Sequence, residues 1–158
     1  MAVTSIRAER AARQTEIRRL RQCLRQQITI FMRLLEELCA QMRLTFQYLR
    51  NDELAAEQYS DSFTQISWDI DEDEAVENLP TRNVGRLFRR HDNLRRNIAV
   101  LSSLIQEMLH DTTLPRSWVC PQLIAEYRRM LDLVSELRMH QSIIRAIKRQ
   151  LSRGRWQS

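Results

Sequence analysis

Asp69, Asp71 and Asp73 alternate with single residues, as at the opening of a calcium-binding loop. Such a loop needs glycine at its sixth position for a sharp turn and a bidentate glutamate at its twelfth. Those positions hold Glu74 and Pro80, so calcium coordination is not expected. His91, His110 and His140 are the candidate metal ligands or general bases. None has a cysteine, serine or second histidine at a helical spacing that would converge on a metal or a nucleophile. His91 reads instead as a hydrogen-bonded interface residue. Cys23, Cys39 and Cys120 form no Cys-x-x-Cys pair, and an odd count makes a poor disulfide framework. They read as buried, reduced thiols of an intracellular protein. No catalytic residue, metal or cofactor is expected.

The arginines carry more. Arg7, Arg10, Arg18, Arg21 and Arg25 share one helical face, with Gln14 filling the gap. A basic face followed by a heptad seam is the layout of a bZIP helix, whose basic region carries Asn-x-x-Ala-Ala-x-x-Cys/Ser-Arg. The best register here runs Ala8-x-x-Ala11-Ala12-x-x-Thr15-Glu16. The alanines match, but Ala8 and Glu16 replace the residues that read base edges, and an acid facing phosphate repels it. Specific DNA reading is therefore not expected. The five arginines remain candidates for facing a polyanion, whether nucleic acid or the acidic surface of tubulin. The rival reading makes them solvated flanks whose long stems cover a seam.

These residues need elements to hold them, and composition narrows the choice. The chain has 158 residues with two glycines and three prolines. Hairpins, bulges and phosphate-cradling loops draw on glycine for backbone at positive φ, so sandwiches, barrels and Rossmann or P-loop enzymes are disfavoured. The formal charge of +5 conceals three blocks. Residues 1–50 carry +6, residues 51–79 carry −10 with no base, and residues 80–158 carry +9. Of 25 basic residues only Lys148 is a lysine. No apolar run approaches the roughly 20 residues that span a bilayer, so no membrane partner is expected. Glu9, Glu16 and the scarcity of serine argue against a presequence in the arginine-rich first 25 residues.

Each basic block predicts long helix. In 1–51, Ile17, Leu24, Phe31, Leu38 and Thr45 recur every seven residues, interleaved with Ile28, Leu35, Met42 and Leu49. Thr4 or Ser5 is expected to cap this helix, and Asn51-Asp52 to end it. Spanning 5–50, it would be about 69 Å long. In 81–158 two further seams follow. Val84, Leu87, His91, Leu94, Ile98, Leu101, Ile105 and Met108 step by three and four without a break. Leu123, Tyr127, Met130, Val134, Leu137, Gln141, Ile144, Lys148 and Leu151 do the same, with Ile143 and Ile147 beside the polar positions. Pro80 and Pro121 suit helix starts, Asp111–Pro115 a stop, and Gly154 a C-terminal cap. About 12 residues join the last two helices, which allows an antiparallel hairpin.

The expected fold is thus all-α: an elongated coiled coil or irregular bundle of three long helices. Residues 52–80 form an acidic, mobile connector, with Tyr59, Phe63, Ile66 and Trp68 available to anchor it in a groove. The first helix is longer than either other, so part of its seam lacks a partner in cis. Exposed apolar surface costs roughly 25 cal/mol per Å². The expectation is an obligate subunit that pairs with helices of other chains through Leu24, Ile28, Phe31, Leu35, Leu38 and Met42, and through Ile98, Leu101, Ile105 and Met108. Trp118 and Trp156 read as bundle plugs or interface anchors.

Leu94 to Ile144 resembles the C-terminal part of the second subunit of the augmin (HAUS) complex. The shared pattern is a leucine-rich helix end, Leu114-Pro115, then Tyr127 and Met130-Leu131 followed by Leu133. It covers about a third of the chain, which departs from the pattern by inserting Arg116–Pro121 and by its shortness. The resemblance implies a small coiled-coil subunit, cytoplasmic and spindle-associated, of an assembly that recruits γ-tubulin to microtubules during mitosis. Small kinetochore subunits share the general build. A basic nucleic-acid-associated protein, with the acidic connector shielding basic helices, is the alternative from another class.

Overall fold

The computed structural model describes residues 2–52, 57, 61, 63, 84–110 and 121–156, with backbone alone at 2–4 and 154–156. The fold is all-α, as expected. Three long helices make up nearly all of the described chain: α1 (Ala2–Asn51), α2 (Val84–Leu109) and α3 (Pro121–Trp156). The described residues of the connector, Glu57, Asp61 and Phe63, are helical.

Helix ends correct several expectations. Alanine and arginine are strong helix formers, so α1 is already helical at Ala2 and does not wait for a cap at Thr4 or Ser5. It stops at Asn51, as expected, where the Asp52 N–H donates to the Leu49 carbonyl at 3.3 Å. At the end of α2, the His110 N–H donates to the Gln106 carbonyl at 3.1 Å, and its Nδ1 lies 2.7 Å from the same oxygen. Pro121 opens α3, where its missing N–H leaves no bond unmade. Gly154 does not cap that helix, which continues to Trp156, and no described glycine has positive φ. A glycine inside a helix is tolerated at about 1 kcal/mol. The Pro80 and Asp111–Pro115 signals, the calcium-like run at 69–80, Cys120 and Trp118 lie outside the described residues.

Cross-helix pairs set the topology. The Gln41 side-chain amide donates to the Glu126 carbonyl at 3.1 Å and also to its carboxylate. Nearer the α1 start, His140 Nδ1 donates to Gln27 Oε1 at 2.6 Å. Fourteen residues backward on α1 thus match fourteen forward on α3, so the two run antiparallel. Tyr127 OH meets Ser102 Oγ at 2.6 Å and accepts from the Gln106 amide at 3.1 Å, while Arg145 lies 5.4 Å over the Phe88 ring. Hence α2 and α3 are antiparallel too, and α1 and α2 are parallel. Phe31 makes edge contacts with both Phe88 and His91, at 5.5 and 5.4 Å.

This register divides the molecule into tiers. Val84 stands opposite about residue 25 of α1, and Trp156 opposite about residue 11. Among the described residues, three helices share the cross-section from there to about residue 46, two share it from about 11 to 25, and α1 runs alone before that. Burial follows the tiers. Phe31, Leu35, Leu38, Met42 and Leu49 are fully buried, as are Leu87, Leu101, Ile105, Met130, Leu137 and Ile144. Each such side chain contributes roughly 1.5–3 kcal/mol over exposure. Thr45 is buried with its hydroxyl donating to the Gln41 carbonyl at 2.8 Å. Ile17, Leu20 and Leu24 are only half-buried, and every side chain from Ser5 to Glu16 is exposed. On α3, Ile147 replaces the exposed Lys148 in the core, and Leu133 is buried more deeply than Val134.

Candidate partner-binding surface

The residues expected to capture a partner are occupied within the chain. Ile28, Phe31, Leu35, Leu38 and Met42 lie in the three-helix tier, as do Ile98, Leu101, Ile105 and Met108, and all nine are buried. Each seam finds its apolar surface in the other two helices. Leu24 alone of the ten is partly open, because α2 has not yet begun at its level. A charged substitution at Leu35 or Leu38 would therefore unfold the bundle before it reported on any partner.

What lacks cover is the start of α1. Arg7, Arg10, Arg18, Arg21 and Arg25 are all exposed. At 100° per residue they fall within an arc of about 80°. Glu16, expected to repel a polyanion, lies about 160° around the helix from the centre of that arc. There its carboxylate accepts from Arg19 Nη2 at 2.7 Å. Glu9 shares that far side. The arginine face carries no acid.

Topology then concentrates charge in a way one-dimensional reading missed. Take a plane across the bundle at Phe31. On one side, α1 contributes seven arginines against Glu9 and Glu16. On the same side α2 contributes three arginines and α3 five arginines with Lys148, neither with any acid. On the other side the three helices carry seven bases and seven acids. The signal was present in the sequence, since no acid follows Glu136, but only the antiparallel register shows that this stretch lies beside the start of α1.

In the two-helix tier the register sets Ile17, Leu20 and Leu24 opposite the stretch from Ile143 to Leu151. Leu151 and Ile143 are half-buried like their counterparts. The side facing α2 is marked on α1 by Phe31 and on α3 by Arg145. Continued past the start of α2, it is bordered by Arg21 and Arg10 on α1 and by Arg149 and Arg153 on α3. The result is a trough whose α1 wall carries half-buried Leu20 and Leu24 and whose α3 wall carries half-buried Leu151 and exposed Lys148, with arginine on both banks.

The histidines are spread apart. His140 bonds Gln27 and His110 caps α2. His91 is fully buried, but neither ring nitrogen has a hydrogen-bond partner, which corrects the hydrogen-bonded reading. Burial, reinforced by Arg95, Arg138 and Arg145 against a smaller opposing effect of Asp92, lowers its pKa to about 4. It is a neutral ring packed edge-on against Phe31. Cys39 is buried, but Cys23 is exposed, contrary to expectation. An open groove between α2 and α3, lined by Asp92, Arg95, Arg96, Val134 and Arg138, has no nucleophile beside it other than Ser102, whose hydroxyl meets Tyr127. Of the connector aromatics, Phe63 packs edge-on against Phe46 at 5.5 Å, while Tyr59 and Trp68 lie outside the described residues. Among the described residues no His, Cys, Asp and Glu side chains gather into a metal-sized group, and no helix is long and apolar enough to cross a membrane. No model of a known family matches the chain, and neither a curated protein nor a solved structure does.

Proposed function

We propose that the protein is a non-enzymatic helical subunit of a multiprotein assembly. One observation carries this reading: α1 continues as helix well past the end of its own cover, presenting half-buried Ile17, Leu20 and Leu24 and then a fully exposed stretch. An isolated helical arm of this length is marginal in water unless something packs on it. The likeness of residues 94–144 to the augmin subunit supports a microtubule-associated assembly of the mitotic spindle, and the arginine-rich pole suits its acidic surfaces. That same pole also favours a second reading, a basic nucleic-acid-associated protein.

Removing residues 2–14 tests the first reading, since no side chain described there is buried. Purified from its native source, the full chain should bring down defined partners in stoichiometric amounts, and the shortened chain should lose them while keeping its helicity. Unchanged complexes after the deletion, or a lone monomer from the native source, overturn it. The nucleic-acid reading instead predicts affinity that falls steeply with salt.

A further inference from the structure

Among the described residues, the two-helix tier has the cross-section of a three-helix bundle with one helix missing. α2 begins at Val84, opposite about residue 25 of α1, while α3 continues alongside α1 to about residue 11. The vacated position is about 14 residues long, or roughly 21 Å, which is four helical turns. Its floor is Leu20 and Leu24 of α1 against Leu151 of α3, with exposed Lys148 beside Leu151 on the α3 wall. Leu20, Leu24 and Leu151 are half-buried where their counterparts one tier on are sealed. Its banks are Arg21 on one side and Arg149 on the other, both exposed. Acids are absent from this end of α2 and α3, and those of α1 lie on its far face.

We infer that this trough receives an amphipathic, acid-flanked helix of another chain, which takes up end-on the position that α2 leaves. The inference rests on the reading of the protein as an assembly subunit and names the partner chemistry at that surface. A phosphate backbone answers the arginines and leaves the apolar floor wet. A purely acidic tail does the same. A helix with leucine-type residues at three-four spacing and glutamates beside them satisfies both features, as flanking charges and seam residues do in paired helices. Arginine on both banks suits this occupant, because its planar fork pairs carboxylates bidentately and its stem covers apolar surface.

The test uses the full chain and four labelled probes, read by fluorescence anisotropy. These are a sixteen-residue helical peptide with leucines at three-four spacing and flanking glutamates, the same peptide with lysines for glutamates, a polyglutamate of equal length, and a short duplex DNA. The leucine–glutamate peptide should bind and the other three should not. Arg21→Gln with Arg149→Gln, at exposed positions, should weaken it by at least about tenfold. Leu20→Asp should abolish binding while the circular-dichroism spectrum and the cooperative melt persist. Equal or tighter binding of DNA or polyglutamate overturns the inference, as does failure of the leucine–glutamate peptide to bind. Binding that appears only after the acids of residues 69–77 are changed to amides also overturns it, in favour of an occupant from the chain itself. If the peptide fails but deleting residues 2–14 still dissolves the native complex, the assembly reading stands and the acidic-helix partner falls.

Discussion

Two stretches of α1 carry the same seven-residue pattern and end in opposite circumstances. From Ile28 to Leu49 the seam is sealed, while from Ile17 to Leu24 it is half open. The difference is not in the stripe but in what lies across from it. Among the described residues, α2 and α3 both face most of the first stretch, and α3 alone faces the second. Periodicity reports that a helix has a face needing burial; it does not report whether the chain supplies enough helix to bury it. The sealed stretch is the protein's core and the open one its outward surface.

Several substitutions would break or sharpen this contrast. Leu38→Ala in the sealed tier should cost about 2–5 kcal/mol, because the surrounding three helices cannot collapse into the void. Leu24→Ala, at the open margin, should cost about 1 kcal/mol. Urea denaturation of both proteins measures the gap, and equal losses would erase the tier distinction.

Acid tests the sealed tier a second way. His91 has a folded-state pKa of about 4 against 6.5 for the free side chain, so the unfolded chain takes up the proton first. The stability this neutral ring allows is fully present above about pH 6.5 and is lost as pH falls toward 4, by about 3 kcal/mol in all. His91→Leu should flatten that dependence in urea titrations at pH 7, 5.5 and 4.5. An unchanged slope would show that other groups govern it.

Tyr127→Phe removes the hydroxyl shared by Ser102 and Gln106 and should cost about 1 kcal/mol, seen as a lowered urea midpoint. Smallest of all, Arg18→Gln on the exposed stretch should change stability by less than about 0.5 kcal/mol. A larger loss in a thermal melt would mean that the exposed stretch is held by contacts within the chain.

Helix number and the buried faces of α1 and α2 were legible because both depend on local spacing. All eight seam positions from Val84 to Met108 are buried. The exchange of Lys148 for Ile147 in α3 was legible too, since a charged stem yields to the adjacent isoleucine. Partner assignment was not. Whether Leu35 meets another chain or α3 is decided by pairs such as Gln41 with Glu126, 85 residues apart, which leave no mark on spacing. Gly154 was misread for a related reason. Its intrinsic preference for a cap is worth about 1 kcal/mol, small enough for the helix to run through it. The trough needed both facts at once: where α2 begins and which residues of α3 lie beside α1.

The parallel run of α1 and α2 also governs the order in which the chain becomes itself. Gln27 meets His140 across 113 residues of sequence, whereas Tyr127 finds Ser102 after only 25. During synthesis α1 emerges before α2 and α3, yet the helix that covers it most fully is the last of the three to be made. Its apolar stripe therefore stays uncovered until α3 has been made, a period in which chaperones or a neighbouring nascent chain have first access to it. Long loop closure slows the final docking further. For a chain whose first helix keeps an open margin even when folded, this delay prolongs in time the same exposure that the folded molecule keeps in space.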